Sequence, residues 1–277
     1  MTEIPDIRLD NGVEIPQLGF GTYQIEPDKT EEAVRTALDV GYRHIDTAEM
    51  YGNEKQVGAA VRASGLDRGD VFVTSKLGNG FHAYDDVLKA FNRSLEDLGS
   101  DYLDLFLIHW PLPEIGDYVE TWRAMEEIHR SGRAKAVGVS NFQPHHLRRL
   151  LEETGTVPAV NQIEAHPYLT QDDVRAFNAE HGIATEAWSP IAQGKVLGDP
   201  AITRIAERHG RTPAQVTLRW HVQRGDIVFP KSVRRARMEE NLDIFGFELG
   251  EDEMGEISRL NRDERVGPDP DTFNWVP

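Results

Sequence analysis

The sequence predicts an α/β fold: a (β/α)8 TIM barrel preceded by an N-terminal β-hairpin. Three observations predict it. Strand-like and helix-like stretches alternate eight times, and alternating β and α units build a parallel sheet with helices outside. The length, 277 residues, is the usual size of one such barrel. Three apolar runs, 41–46, 71–76 and 103–109, end in Asp46, Lys76 and His109. In a parallel barrel the strand C-ends meet on one face, where the chemistry sits.

The elements follow in order. Residues 7–9 and 13–15 read as a hairpin turned by Asp10-Asn11-Gly12, a sequence suited to a tight turn. Barrel strands are expected at 17–21, 43–46, 71–76, 103–109, 134–140, 159–164, 184–189 and 227–230. Helical spacing separates them: Ala33, Val34, Ala37 and Leu38 share a face behind Thr30, which reads as an N-cap. Ser64-Gly65 and Leu98-Gly99 read as helix ends. No linker or repeat interrupts the chain, so one domain is expected over 1–277. Segments 191–200 and 266–277 are too long for plain βα loops, and long loops on the C-terminal face carry specificity.

Composition narrows the function. The chain has no cysteine, which removes disulfides, thiolate nucleophiles and Cys-based zinc sites and fits a reducing compartment. The N-terminus has no signal-peptide pattern, and no apolar run is long enough to span a bilayer; a cytoplasmic protein is expected. A formal net charge of −17 repels nucleic acid and anionic membranes. The expected partner is a small molecule, and the expected state a monomer. Gly19-Phe20-Gly21 lacks the third glycine of a dinucleotide fingerprint, Gly194-Lys195 is no P-loop, and no zinc-protease motif occurs. Gly138-Val139-Ser140-Asn141-Phe142 misses a nucleophile elbow. His145-His146, after Pro144, reads as a surface pair, and no metal site is expected.

The strand ends carry the chemistry. Tyr51 follows Asp46 on the same rim. Singly, Asp46 reads as a helix N-cap, Lys76 as a surface lysine, His109 as a buried histidine and Tyr51 as packing. Together they make an acid/base site. A phenol near pKa 10 is a poor proton donor at pH 7. An ammonium beside it favours the phenolate, so Lys76 is expected to lower the Tyr51 pKa, with Asp46 keeping Lys76 charged. His109 can orient a substrate oxygen. Such a site protonates an alkoxide as hydride reaches a carbonyl carbon.

A second cluster, Lys231-Ser232-Val233-Arg234-Arg235-Ala236-Arg237, holds four basic residues in seven. It opens a helix after the last strand, and helix N-termini with basic side chains bind phosphate. The alternative is a solvated basic turn. Trp188-Ser189 ends the seventh barrel strand and offers an aromatic plate for a flat ring.

These motifs resemble the aldo-keto reductases. The matching residues are Gly21-Thr22-Tyr23, 46–54 with Asp46 and Tyr51, Lys76, His109-Trp110-Pro111, Gly138-Val139-Ser140-Asn141, Asn161-Gln162, Trp188-Ser189-Pro190 and Pro230-Lys231-Ser232. The chain is most similar to the bacterial branch of 2,5-diketo-D-gluconate reductases, through 231–235 and Glu240-Asn241-Leu242. The resemblance implies NADP(H) without a Rossmann domain. It implies Tyr51 as proton donor, Lys76 and Asp46 as its tuning pair and His109 as orienting residue. It places the carboxamide on Ser140, Asn141 and Gln162, and the nicotinamide on Trp188. Lys231, Ser232 and Arg237 would take the 2′-phosphate and adenine end, with Glu240 and Asn241 near the adenine. Gly21, Thr22, Tyr23, Asp46, Ser189, Pro190, Val233 and Arg234 join the cofactor set. Substrate would meet Tyr51, His109, Trp110, Gly78 and Trp275, with Phe273 nearby.

One position departs from the family. An aromatic is common two residues after the lysine, and Gly78 stands here. The expectation is a broad pocket, or a loop that needs left-handed backbone at 78. The function read from these features is NADPH-dependent reduction of aldehydes, ketones, dicarbonyls or keto-sugars. Two rivals remain on the same fold. One is a lysine-dependent aldolase or phosphosugar isomerase using Lys76; the other is a non-catalytic NADPH-sensing subunit.

Overall fold

A hairpin of β1 (Asp6–Arg8) and β2 (Glu14–Pro16) opens the chain in the computed structural model, which describes residues 4–277. Ile7 pairs with Ile15. Gly12 takes the turn at φ +85°, and Asn11 Oδ1 accepts from Val13 N at 3.1 Å. Leu9 and Ile15 thereby become a plug. They pack under the barrel with Phe72, Leu105, Ile227 and Phe229.

Eight parallel strands follow in chain order: β3 (Phe20–Gly21), β4 (His44–Asp46), β5 (Phe72–Leu77), β6 (Leu103–Ile108), β7 (Ala134–Ser140), β8 (Val160–Glu164), β9 (Ala184–Trp188) and β10 (Ile227–Val228). A parallel bridge between Leu18 and Val228 joins the two ends. It is held by Gly19 N to Val228 O at 2.8 Å and Val228 N to Gln17 O at 3.0 Å. The ring is therefore closed, as a TIM barrel requires. The expected strands 17–21 and 227–230 are shorter here; Pro230 has no N–H to extend the ladder.

Around the ring run α1 (Pro27–Val40), α2 (Glu54–Ala63), α3 (Tyr84–Leu98), α4 (Tyr118–Arg130), α5 (Pro144–Glu153), α6 (Asp172–Glu180), α7 (Pro200–His209), α8 (Pro213–Gln223), α9 (Arg235–Leu242) and α10 (Glu251–Ser258). Their apolar faces meet the outward strand residues in the main core; Val34 and Ala37 of α1 and Phe91 of α3 are fully buried there. Gly65 and Gly99 take left-handed backbone at the ends of α2 and α3, as expected. Thr30 is not the cap of α1. The helix begins three residues earlier at Pro27, whose fixed φ suits a first turn. Thr30 Oγ1 instead donates to Glu26 O at 2.9 Å from inside the helix.

Segment 191–200 is no plain βα loop, as expected, while the histidine pair differs from its reading. Residues 192–198 form 3₁₀ turns, with left-handed backbone at Ala192, Gln193 and Gly194. His145 is exposed, but His146 is 2% exposed, so the two are not a surface pair. Both lie near Asp271 of the tail, the one grouping of potential metal ligands among the described residues. His146 Nδ1 accepts from Gln143 N at 3.1 Å, which puts the proton of the neutral ring on Nε2. That nitrogen carries the hydrogen, lies 3.8 Å from Asp271 Oδ1, and offers no lone pair to a metal. No helix among the described residues is long and apolar enough to cross a membrane.

Candidate active site

The strand ends gather the four residues read from the sequence. Asp46 closes β4, Lys76 lies in β5 and His109 follows β6. Tyr51 sits in a 3₁₀ turn, 49–51, just beyond β4. That turn is anchored by Asn53: its Nδ2 donates to Thr22 O and Ile25 O, and its Oδ1 accepts from Thr47 Oγ1 at 3.0 Å. Asp46 is no helix cap. Its Oδ1 accepts from Lys76 Nζ at 2.8 Å, and its Oδ2 accepts from Gln162 Nε2 at 2.9 Å.

Lys76 is fully buried. Its Nζ also donates to Thr47 O at 2.9 Å and to Tyr51 Oη at 3.4 Å. Burial opposes the charge, but the Asp46 carboxylate and the neighbouring phenol raise the Lys76 pKa above its usual value. Tyr51 does not follow the expectation. Desolvation outweighs the lysine and pushes its pKa up to about 12, Lys76 pulling the other way. The phenol therefore keeps its proton at neutral pH. His109 meets the Tyr51 ring edge-on, centroids 5.7 Å apart. Burial, aided by the Lys76 charge, holds its pKa well below the usual value. The imidazole is neutral, and one ring nitrogen can donate to a substrate oxygen.

The residues expected to hold the nicotinamide end lie beside this centre. Ser140 ends β7, and Asn141 follows with φ +66°. Ser140 Oγ donates to Gln162 O at 2.9 Å. Asn141 Nδ2 donates to His109 O and Ser140 Oγ, and its Oδ1 accepts from Trp188 Nε1 at 2.8 Å. Both amide hydrogens of Gln162 are taken by carboxyl oxygens, of Asp46 and of Glu186. The carboxamide-side donors are thus engaged within the protein, and Gln162 Oε1 is left as an acceptor. Trp188 is half-buried. Ser189 turns the chain after it at φ +49°, and Pro190 O accepts from His221 Nε2 at 3.1 Å. Gly21 lies where a Cβ would stand 2.9 Å from Phe229 O. Thr22 is buried with Oγ1 on Asp46 O, and exposed Tyr23 packs on the Tyr51 ring at 5.1 Å.

The basic cluster fits a phosphate. Arg235 is tied to Asp39 and Glu239. Among the described residues, Lys231, Arg234 and Arg237 have no carboxylate at ion-pair distance; all three are exposed, as is Val233. Ser232 Oγ accepts from Arg234 N at 3.0 Å and shapes the turn into α9. Three uncommitted cations at a helix start, in a chain of net charge −17, suit a dianion. Asn241 is buried nearby, while Glu240 Oε1 accepts from Thr212 Oγ1 at 2.8 Å.

The tail forms a wall. Phe273 packs on Trp110 with tilted rings, centroids 4.3 Å apart. Asn79 Nδ2 donates to Trp275 O at 2.9 Å, leaving the Trp275 ring half exposed. Further back, Glu164 accepts from Val266 N and Gly267 N, and Gly267 presses on the Trp188 ring. Glu164, Asn79 and Glu186 were missed in the sequence. The signal for Glu186 was present: it stands two residues before Trp188 on one strand and so shares its face. A groove of about 880 Å³ opens elsewhere, lined by Glu14, Arg43, Phe72, Asp104 and Lys135. No member of the tetrad borders it, and its Lys135 is paired with Asp104.

Comparison with known proteins agrees with this geometry. The Aldo/keto reductase family matches residues 17–262. The glyoxal reductase of Bacillus subtilis (strain 168) is 48% identical over 266 residues, covering 96% of both chains. The methylglyoxal reductase DkgA of Escherichia coli (strain K12) is 46% identical over 269 residues, covering 96% of this chain and 97% of its own. A mutant of Gox0644 solved in complex with NADPH superposes with a TM-score of 0.95 at 46% identity, covering 99% of this chain and 100% of that one. The chain belongs to the aldo/keto reductase family and is an NADP(H)-dependent oxidoreductase acting on carbonyl groups.

Proposed function

We propose that the protein reduces small aldehydes and 1,2-dicarbonyls of the glyoxal and methylglyoxal class, with Tyr51 as the proton donor. The observation that carries this reading is the position of Lys76 Nζ, 2.8 Å from Asp46 Oδ1 and 3.4 Å from Tyr51 Oη. The names of the glyoxal and methylglyoxal reductases support the substrate class. Bound NADPH supplies a hydride to the carbonyl carbon. Tyr51 then gives its phenolic proton to the developing alkoxide, and Lys76 steadies the phenolate left behind. Neutral His109 donates a hydrogen bond to the same oxygen and fixes its approach. Trp188 provides a plate for the nicotinamide; Lys231 and Arg237 provide cations for the 2′-phosphate.

Lys76 does not suit the aldolase reading. An ammonium with three directed contacts, held charged by Asp46, is no Schiff-base nucleophile. We further propose one domain over 1–277, which the uninterrupted barrel supports, acting as a monomer in the cytoplasm, whose reducing conditions suit a chain without cysteine. The test is NADPH absorbance loss on glyoxal, methylglyoxal, simple aldehydes, ketones and keto-sugars. Turnover led by dicarbonyls is expected. Activity confined to keto-sugars would overturn the substrate class.

A further inference from the structure

The bore of the barrel holds a second carboxyl group below the tetrad. Glu186, in the middle of β9, is fully buried. Its strand neighbours in register are Gln162 on β8 and Ile227 on β10. The Gln162 amide has two hydrogens; one goes to Glu186 Oε2 at 2.8 Å and the other to Asp46 Oδ2 at 2.9 Å. With acceptors on both sides, the amide can point only its nitrogen at them. Asp46 is therefore gripped by two groups, Lys76 on one oxygen and the Glu186-backed amide on the other.

We propose that Glu186 is a positioning residue of the reductase: through Gln162 it orients Asp46, and the charge it gains on losing its proton is felt by the Lys76–Tyr51 pair. The inference rests on Tyr51 being the proton donor.

Glu186 Oε1 has no partner among the described residues. An ionised carboxylate is costly to bury with one oxygen lacking a protein partner. Burial first, then the charge of Asp46, pushes the Glu186 pKa up to about 8, against the pull of the Gln162 hydrogen bond and of Lys76. At neutral pH Glu186 is a protonated acid, and Asp46 and Lys76 face each other as a balanced pair. On losing its proton to solvent, Glu186 adds an uncompensated negative charge. Asp46 and Lys76 face it across the bore, Gln162 faces it from β8, and β10 offers only apolar Ile227. The added charge holds the Tyr51 proton more tightly, so proton donation weakens as pH rises.

Two measurements test this on Glu186→Gln, which keeps the size and an acceptor oxygen. The first is kcat of carbonyl reduction between about pH 6 and about pH 10. The unsubstituted enzyme should lose activity above about pH 8, and the variant's alkaline limb should move up by roughly one pH unit or more. The second is an infrared titration of the cofactor-free protein. The carbonyl stretch of a protonated carboxylic acid should be present at neutral pH, fade in alkali, and be weaker in the variant by one group. An unmoved alkaline limb, or an unchanged band, overturns the proposal. If the glutamine variant does not fold, Glu186→Leu is read the same way. Tyr51→Phe separates the readings: if it stays active, the proton-donor assignment fails whatever Glu186 does. If it is dead while Glu186→Gln keeps its alkaline limb, only the present proposal fails.

Discussion

The carboxylate of Glu49 lies against the α-carbon of Gly78, in the space that a side chain at 78 would need. The backbone at 78 is not left-handed, so the glycine is not demanded by conformation. Nor is the volume beside it simply open, because Glu49 occupies part of it and Phe81 Cδ2 would stand 3.4 Å from a Cβ. The obstacle is the far end of a flexible side chain. Gly78→Trp should therefore fold, with a loss of about 1–2 kcal/mol from displaced packing. KM should fall for small aldehydes and rise for bulky ketones. Adding Glu49→Ala should restore the melting temperature. If the double variant melts as low as the single one, Glu49 is not what the tryptophan displaces.

Tyr51→Phe keeps the ring and its contacts with Tyr23 and His109 but removes the proton. Cofactor affinity should persist while kcat drops by the ~10²–10⁴ typical of a lost general acid. Single-turnover kinetics check it. A variant retaining more than about a tenth of kcat would remove Tyr51 from the proton-donor role.

Arg237→Ala and Lys231→Ala should each weaken NADPH roughly 10–100-fold and leave NADH nearly unchanged. Both cations stand free of carboxylates among the described residues. Tryptophan fluorescence titration with the two cofactors reads the difference. Equal losses would show that the cluster does not select the phosphate.

Glu54 makes stability depend on pH. It is buried between Ser75 Oγ, at 2.5 Å, and Ser94 Oγ, at 3.3 Å. Burial, against those hydrogen bonds, raises its pKa to about 7. The folded state then holds a proton that the unfolded state releases near pH 4.3. Stability from this group is complete below pH ~4.3 and is lost as pH rises towards 7, by roughly 4 kcal/mol in all. Glu54→Gln should flatten the denaturant-derived stability curve between about pH 5 and about pH 7.5 by the slope of one proton. Parallel curves for the two proteins would contradict the buried acid.

The tetrad was legible because each member ends or adjoins an apolar run, and a parallel barrel sends those ends to one rim. The sign of the shift on Tyr51 was not legible. It depends on how much protein covers the phenol, and burial there outweighs the charge of Lys76. Thr30 looked like a cap because the apolar helical spacing begins just after it at Ala33, but Pro27 starts the helix first. Gln162 was read by resemblance as a carboxamide holder; its amide hydrogens are committed to Asp46 and Glu186. The tail's fastenings could not be read at all, since Glu164 and Gly267 stand 103 residues apart in sequence.

The tail wall also has an evolutionary corollary. The tetrad stands on strands and on a turn tied to them, each gripped by its neighbours. Phe273 and Trp275 stand on a strip fastened at Glu164 and Asn79. Mutations in the strip can accumulate without touching the proton-transfer apparatus. On the reading that this strip lines the substrate, as the resemblance implies, substrate preference and chemical competence reside in separate parts of one chain.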